Sequence, residues 1–447
     1  MTNVMWFRRD LRLADNPALL AATADGPVVA VFVLDDALRG PAGAPRLTFL
    51  YRCLRALDDS LDGRLVVRAG RPADVLLALA RDVGARQVYA ATDYGPYGHA
   101  RDEAVSARLA TAKVSLELIG SPYAVEPGRT VKPDGSPYRV FTPFYRAWSE
   151  LGWPLPASLP TRADVVANVR SEGVPADPRL DAALPPAGEA AALARLDEFV
   201  EQSVTDYARA RSSLGEDATS KLSPYLKYGC VHPRQVLARL AVSGGDEKFR
   251  TEIAWREFYA DVLWHHPQSV REALVAGTGA IRVDTGADAD ARFDAWATGH
   301  TGYPIVDAAM RHLLAEAWLP NRARMVAASF LIKDLHLDWR RGARHFMAYL
   351  VDGDLASNTH GWQWVAGTGT DAAPYHRVFN PVLQGEKFDP TGAYVRRWVP
   401  ELSDVADDAI HRPWTLGLVA PADYPPPIVD HAVERRIALH RFAATKS

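Results

Sequence analysis

Five short apolar runs recur at near-regular intervals in the N-terminal part of the chain: Asn3–Phe7, Val28–Leu34, Leu65–Arg68, Gln87–Ala91 and Ser115–Ile119. Each is continuous rather than alternating, the pattern of a strand covered on both faces. Stretches with helical spacing lie between them, including Asn16–Thr23, Pro45–Leu61 and Pro72–Val83. Alternation of this kind predicts an α/β fold with a doubly wound, parallel, five-stranded sheet of Rossmann-like form. The first run is not followed by G-x-G-x-x-G. It opens instead into W-F-R-R-D-L-R-L at Trp6–Leu13, which excludes a dinucleotide site of the ordinary kind.

Beyond this segment the pattern changes twice. Residues 131–196 are rich in Pro, Ala and Asp with weak periodicity, and read as a long connector between a domain at 1–130 and the remainder. From 197 to 447 strand alternation disappears and apolar spacings of three and four dominate, as at Ile305, Ala308, Ala309 and Leu313, predicting an all-helical domain. Nine of the 12 tryptophans fall between Trp255 and Trp414. Any one of them is best read as core, so it is their concentration that carries information.

The formal charge is −3, so a nucleic-acid surface has to be a local patch. The two cysteines, Cys53 and Cys230, lack metal or redox-motif spacing, and no His/Cys cluster has ligand spacing, so no metal is expected. The longest apolar run is too short to span a bilayer and no signal peptide is visible, which with the sparse cysteines reads as a cytoplasmic protein without membrane attachment; a monomer in a bacterial cytosol or nucleoid is the accompanying expectation.

Several motifs then occur in one order: T-S-K-L-S at Thr219–Ser223, W-R-E-F-Y at Trp255–Tyr259, T-G-Y-P-I-V-D-A-A-M-R at Thr301–Arg311, N-R-A-R-M at Asn321–Met325, D-G-D-L-A-S-N at Asp352–Asn358, and G-W-Q-W with G-T-G-T-D-A-A-P-Y within Gly361–Tyr375. With Trp6–Leu13 in front, this series resembles the photolyase/cryptochrome family, and within it the class I photolyases for cyclobutane pyrimidine dimers. Singly, each motif has a plain structural reading. The Ser/Thr loop can cap a helix. The Asp-Gly-Asp can be a turn. Glu252, Trp255, Arg256 and Tyr259, at i, i+3, i+4 and i+7, can be one side of an amphipathic helix with a Glu252–Arg256 ion pair.

The resemblance implies a cofactor, FAD, bound by the helical domain and active in its reduced anionic form. Thr219, Ser220, Lys221, Leu222 and Ser223 would form the pyrophosphate loop, with Tyr207 and Arg211 close by. Arg324, Asp352 and Asp354 would surround the ribose and ring, and Asn358 would lie beside the reactive ring nitrogen as a neutral amide able to donate or accept. Asparagine there favours repair, since plant cryptochromes carry aspartate. The lesion would meet Glu252, Trp255, Asn321 and Met325; the absence of histidine near Asn321 argues against a (6-4) photolyase, leaving that and a cryptochrome-type light receptor as alternatives. DNA containing cyclobutane dimers is the implied partner, held by Arg256, Arg322, Arg377 and Trp364, with the dimer flipped out of the duplex. Electrons would reach the flavin through Trp362 and Trp339. The segment Ile281–Arg292, where the third relay aromatic of the family belongs, contains none, so Trp296 or Trp318 is the expected exit. The N-terminal domain would seat an antenna, a deazaflavin or a folate, near Arg46, Gly98 and Arg101.

Overall fold

A computed structural model describes residues 2–24, 26–157, 165–371 and 377–445. The chain forms two compact units. The first comprises residues 1–180, 185–205 and 220–267, the second 181–184, 206–219 and 268–447.

The first unit is built on the predicted sheet. Its strands, β1 (Asn3–Phe7), β2 (Val28–Leu34), β3 (Val66–Ala69), β4 (Gln87–Ala90) and β5 (Ser115–Leu118), lie in the order β3-β2-β1-β4-β5 and pair only in parallel. In β1 and β2 every residue is buried, as their unbroken apolar runs require. β5 is an edge strand with exposed ends. Helices Pro17–Ala24, Ala44–Ser60, Pro72–Val83 and Pro96–Ala110 connect the strands. Proline enters the first turn of each, where its missing N–H costs nothing.

The expected connector is not structureless. Phe141–Leu151 is a helix that buries Phe141, Phe144 and Trp148, an i, i+3, i+7 stripe hidden from periodicity by Pro143 in its first turn. It packs on the 22-residue helix Gly244–His265, which opens on a capping box between Ser243 and Asp246. Two buried carboxylates of that long helix fasten the chain after β5. Glu257 accepts the Ala124 and Val125 N–H groups at 2.5 and 3.0 Å and the Trp148 indole N–H at 2.6 Å. Asp261 accepts the Gly128 N–H at 2.7 Å.

The second unit is helical. Ala287–Thr298, Pro304–Glu316, Asn321–Ser329, Trp339–Tyr349 and Leu355–Ala366 surround a core that includes Trp296, Met310, Phe330 and Trp362. Asn321–Ser329 runs on into a π-helical turn, Phe330–Asp334. Asp338 and Asp354 cap the last two helices by accepting the N–H groups of Arg340 and Ser357. The structure gives the T-G-Y-P-I-V-D motif a scaffolding role. Buried Asp307 accepts from the Thr301 N–H, the Thr301 hydroxyl, the Gly302 N–H and the Tyr424 hydroxyl at 2.6–3.0 Å, tying the turn to its own helix. Among the described residues no helix is long and apolar enough to cross a membrane.

Candidate active site

In the second unit, four expected cofactor residues are ordered by short-range chemistry. Arg324 lies one turn into its helix and donates to the Asp352 carboxylate at 2.7 Å. Its Nε also donates to the Leu319 carbonyl at 2.8 Å, so the guanidinium is held from both sides. The Asp352 side chain is nearly fully buried, whereas about a quarter of Arg324 is exposed. The pair therefore sets a fixed, partly accessible positive group on a buried anion. Asp354, two residues on, caps the helix that carries Asn358 and Trp362. The Asn358 amide donates to the Ala343 carbonyl at 3.0 Å. Only the NH2 end can face a carbonyl, which commits one amide hydrogen and fixes the orientation of the Asn358 oxygen. This sharpens the sequence reading, in which the amide could act either way.

Trp362 is buried and its position depends on a glycine. A Cβ at Gly342, in the facing helix, would lie 2.1 Å from the Trp362 Cη2 and 2.4 Å from Cζ3. Phe346 meets the indole edge-on at 5.0 Å and Trp296 at 6.2 Å. Gly342 escapes sequence reasoning because it looks like a tolerated helical glycine. Trp339 begins the same helix, its indole 4.9 Å from the Arg340 guanidinium. Among the described residues no aromatic ring packs directly on it. Trp318 belongs to a separate group, edge-on to His312, which stacks on Trp398 at 4.2 Å.

Asn321 is exposed at the start of its helix and Met325, one turn on, is half-buried. Between them Arg322 lies over the Phe388 ring at 4.1 Å. Burial, and the charges of Arg211 and Arg377 near it, hold the Arg322 guanidinium below its usual range. Neither Arg322 nor Arg377 pairs with a carboxylate among the described residues, and each feels the other's charge. Such a cluster calls for an anion. Arg211, expected near the cofactor, shares this patch and also approaches the buried Tyr207 at 5.8 Å. Most other basic residues of this half are ion-paired: Arg340 with Asp338, Arg341 with Asp290, Arg396 with Asp407, Arg397 with Glu316. Lys333, in the π-helical turn, is turned inward. It donates to the Arg377 carbonyl at 3.0 Å, and burial brings its pKa down to about 8. Trp364 is half-buried against the helical core. Residues 372–376, which include most of the D-A-A-P-Y motif, lie outside the described residues.

In the first unit, Trp255 stacks flat on Phe141, centroids 3.8 Å apart at 8°, with Tyr259 tilted beside it at 5.4 Å. Glu252 stands one turn away, 3.3 Å from Lys248. It does not pair with Arg256, as helical spacing alone suggested. Arg256 instead donates to the Pro122 and Leu226 carbonyls at 3.1 and 3.2 Å and lies 4.6 Å over Tyr123. Two carbonyls and a ring draw its charge inward, which corrects the expectation that it grips DNA. In the Ser220–Ser223 stretch, Lys221 holds φ 49°, a left-handed backbone rare for a side-chain-bearing residue, and the Arg195 Nε donates to the Ser220 carbonyl at 2.8 Å. The loop is fixed from outside its own sequence. Leu222, buried, anchors it and precedes the short helix Ser223–Tyr228.

The first unit also holds a cavity of about 570 Å³ lined by Asp93, His99, Asp102, Glu103, Leu116 and Trp264, among others. None of the expected antenna residues lines it. Arg101 is consumed between Asp93 and Asp102 at 3.1 and 2.9 Å. Gly98 is needed because a Cβ there would run into the Asp93 carboxylate. Arg46 donates to the Pro41 carbonyl at 3.2 Å. Their neighbours His99 and Asp102, on the same helix, do face the cavity.

Residues 3–162 match the family model described as DNA photolyase, and residues 249–444 that described as the FAD binding domain of DNA photolyase. A deoxyribodipyrimidine photo-lyase of Streptomyces griseus is 43% identical, with 97% of each chain covered. The crystal structure of a bacterial class III photolyase from Agrobacterium tumefaciens superposes with a TM-score of 0.93 at 38% identity, covering 100% of this chain and 98% of that one. An archaeal photolyase from Sulfolobus tokodaii, solved with two FAD molecules, gives 0.88 at 29% identity over 99% of this chain and 100% of the other.

Proposed function

The chain belongs to the DNA photolyase family, and on that footing we propose that it uses light and FAD to split cyclobutane pyrimidine dimers in DNA. The observation that carries the assignment to this chain's own residues is the set in the second unit: the Arg324–Asp352 pair, the Asn358 amide fixed by Ala343, and Trp362 seated on Gly342. These residues fit a flavin. Arg324 supplies positive charge for an anionic reduced ring, with Asp352 holding it in place. The Asn358 oxygen offers an acceptor for a ring N–H, and as a neutral amide it does not repel the ring's charge. Reduced FAD, when bound, supplies the excited-state electron that opens the dimer.

The protein's part is orientation and charge. Tyr207 and the Thr219–Ser223 loop, with Lys221, hold the cofactor's phosphates and ribose side, and Asp354 contributes where it caps its helix. Glu252, Asn321 and Met325 receive the extruded pyrimidines. Glu252 and Asn321 meet their polar edges and stabilise charge arriving on the lesion. Trp255, one face already covered by Phe141, offers its remaining surface for stacking. Arg322 and Arg377 grip the phosphates flanking the flipped dimer, since like charges without a carboxylate partner gain from an anion, while Arg211 serves the cofactor side. The cavity beside His99 and Asp102 is the candidate seat of a second chromophore.

Illumination of the chemically reduced protein with two oligonucleotides in parallel, one carrying a cyclobutane dimer and one a (6-4) product, tests the lesion class. The cyclobutane strand alone should be restored. Restoration of the (6-4) strand, or of neither, refutes the reading.

A further inference from the structure

The family's usual outward route from Trp362 through Trp339 is incomplete here, because the segment Ile281–Arg292 offers no aromatic residue to finish it. The ring contacts of the second unit run in another direction. Trp296 meets Trp362 edge-on at 6.2 Å, and Phe346 fills the angle between them, 5.0 Å from Trp362 and stacked on Trp296 at 6.1 Å. Trp296 also meets His345 at 5.3 Å, and His345 meets Tyr349 at 4.6 Å. Tyr349 is 40% exposed, whereas Trp296 is fully buried. Of this group only Trp362, Trp296 and Tyr349 have side chains that give up an electron readily; Phe346 and His345 fill the space between them.

We propose that the electron vacancy created on Trp362 by flavin photoreduction leaves through Trp296 and is trapped on Tyr349. This rests on the reading that Trp362 lies beside the flavin. Trp362 gives one electron to the excited, oxidised flavin. Trp296 refills Trp362, and Tyr349 refills Trp296 while its phenolic proton passes to water. A thiol in solution then supplies the electron and proton that restore the tyrosine.

Three features make Tyr349 the end of the line. A charge stranded on Trp296 is in a dry core, where an uncompensated cation is costly. The Trp296 N–H is committed to the Ala327 carbonyl at 3.0 Å, and the ring is fully buried. Burial brings the His345 pKa down to about 4, so that side chain is uncharged at neutral pH and does not repel a passing positive charge. Trp339, by contrast, carries the Arg340 guanidinium on its indole.

The test is flash photolysis of the FAD-loaded, oxidised protein with paramagnetic resonance detection, using protein labelled with ring-deuterated tyrosine. The parent should show a tyrosyl radical whose signal narrows on deuteration. Tyr349→Phe, a conservative change at a partly exposed site, should abolish that signal and lower the yield of long-lived reduced flavin several-fold. Trp296→Phe should do the same, and Trp339→Phe should leave both unchanged. A tyrosyl signal that survives Tyr349→Phe, or its loss in Trp339→Phe, overturns the route. Trp362→Phe separates the two levels: it should stop photoreduction altogether. If it does not, the placement of Trp362 beside the flavin fails; if it does while Tyr349→Phe behaves as parent, the route alone fails.

Discussion

Replacing Gly342 by alanine puts a methyl group where the Trp362 indole now lies. The built Cβ falls 2.1, 2.4 and 2.7 Å from three atoms of its six-membered ring, far inside van der Waals contact. The ring has little room to give, because Phe346 and Trp296 flank it. Overpacking of this kind costs about 1–3 kcal/mol. Against it stands the gain of alanine over glycine inside a helix, about 1 kcal/mol. Gly361 supplies the matched control: it lies inside Leu355–Ala366, and a Cβ there meets nothing within 4 Å. Gly361→Ala should therefore be stabilising by about 1 kcal/mol and Gly342→Ala destabilising by about 0–2 kcal/mol. In thermal unfolding each kcal/mol moves the midpoint by roughly 2–4 °C for a unit of this size. Gly342→Ala should also impair flavin photoreduction, because Trp362 has to move. Equal stabilisation by both substitutions, with photoreduction unchanged, would refute the seating of Trp362 described above.

Further outcomes follow from the same contacts. Asp352→Asn leaves Arg324 without its buried counter-charge, at a cost of about 3–5 kcal/mol if the guanidinium stays in place, and should lower flavin retention measured by absorbance after gel filtration. Asn358→Asp sets an anion against the reduced ring and removes the donor to Ala343; spectroelectrochemistry should show the reduced anionic flavin harder to form. Arg322→Ala and Arg377→Ala should each weaken binding to dimer-containing DNA and reduce the slope of log affinity against log salt by about one phosphate contact. Burial raises the Asp261 pKa from 3.8 to about 6, so its contribution to stability is fully present below pH 3.8 and is lost as pH rises through about 6. Asp261→Asn can keep the bond from the Gly128 N–H. Its stability relative to the parent should therefore improve from pH 4 to pH 7 by an amount on the order of 2 kcal/mol, read from denaturant titrations at each pH; a difference independent of pH would contradict the assignment.

The sheet was legible in the sequence because its strands bury both faces, and such strands read as unbroken apolar runs. All five appear within one residue of the predicted bounds. The helix Phe141–Leu151 was not, because a proline and bulky aromatics obscure its stripe. At the site, residue types announced themselves while their alliances did not. That Arg324 holds Asp352 depends on two segments meeting in space. That Arg256 turns inward depends on carbonyls at Pro122 and Leu226, far away in the chain. Lys221 takes a strained backbone that no local propensity suggests, with Arg195 on the neighbouring Ser220 carbonyl. Gly342 carries no chemistry at all, and its importance is a shape, which appears only once Trp362 is packed against it.

The most direct measurement is anaerobic illumination of the protein carrying chemically reduced FAD and an equimolar oligonucleotide with one cyclobutane thymine dimer. Thymine absorbance should return under near-ultraviolet or blue light, stay absent in the dark, and be lost or strongly reduced in Glu252→Ala although the flavin remains bound. A protein that holds reduced FAD and the damaged strand yet returns no thymine absorbance under light would contradict the account.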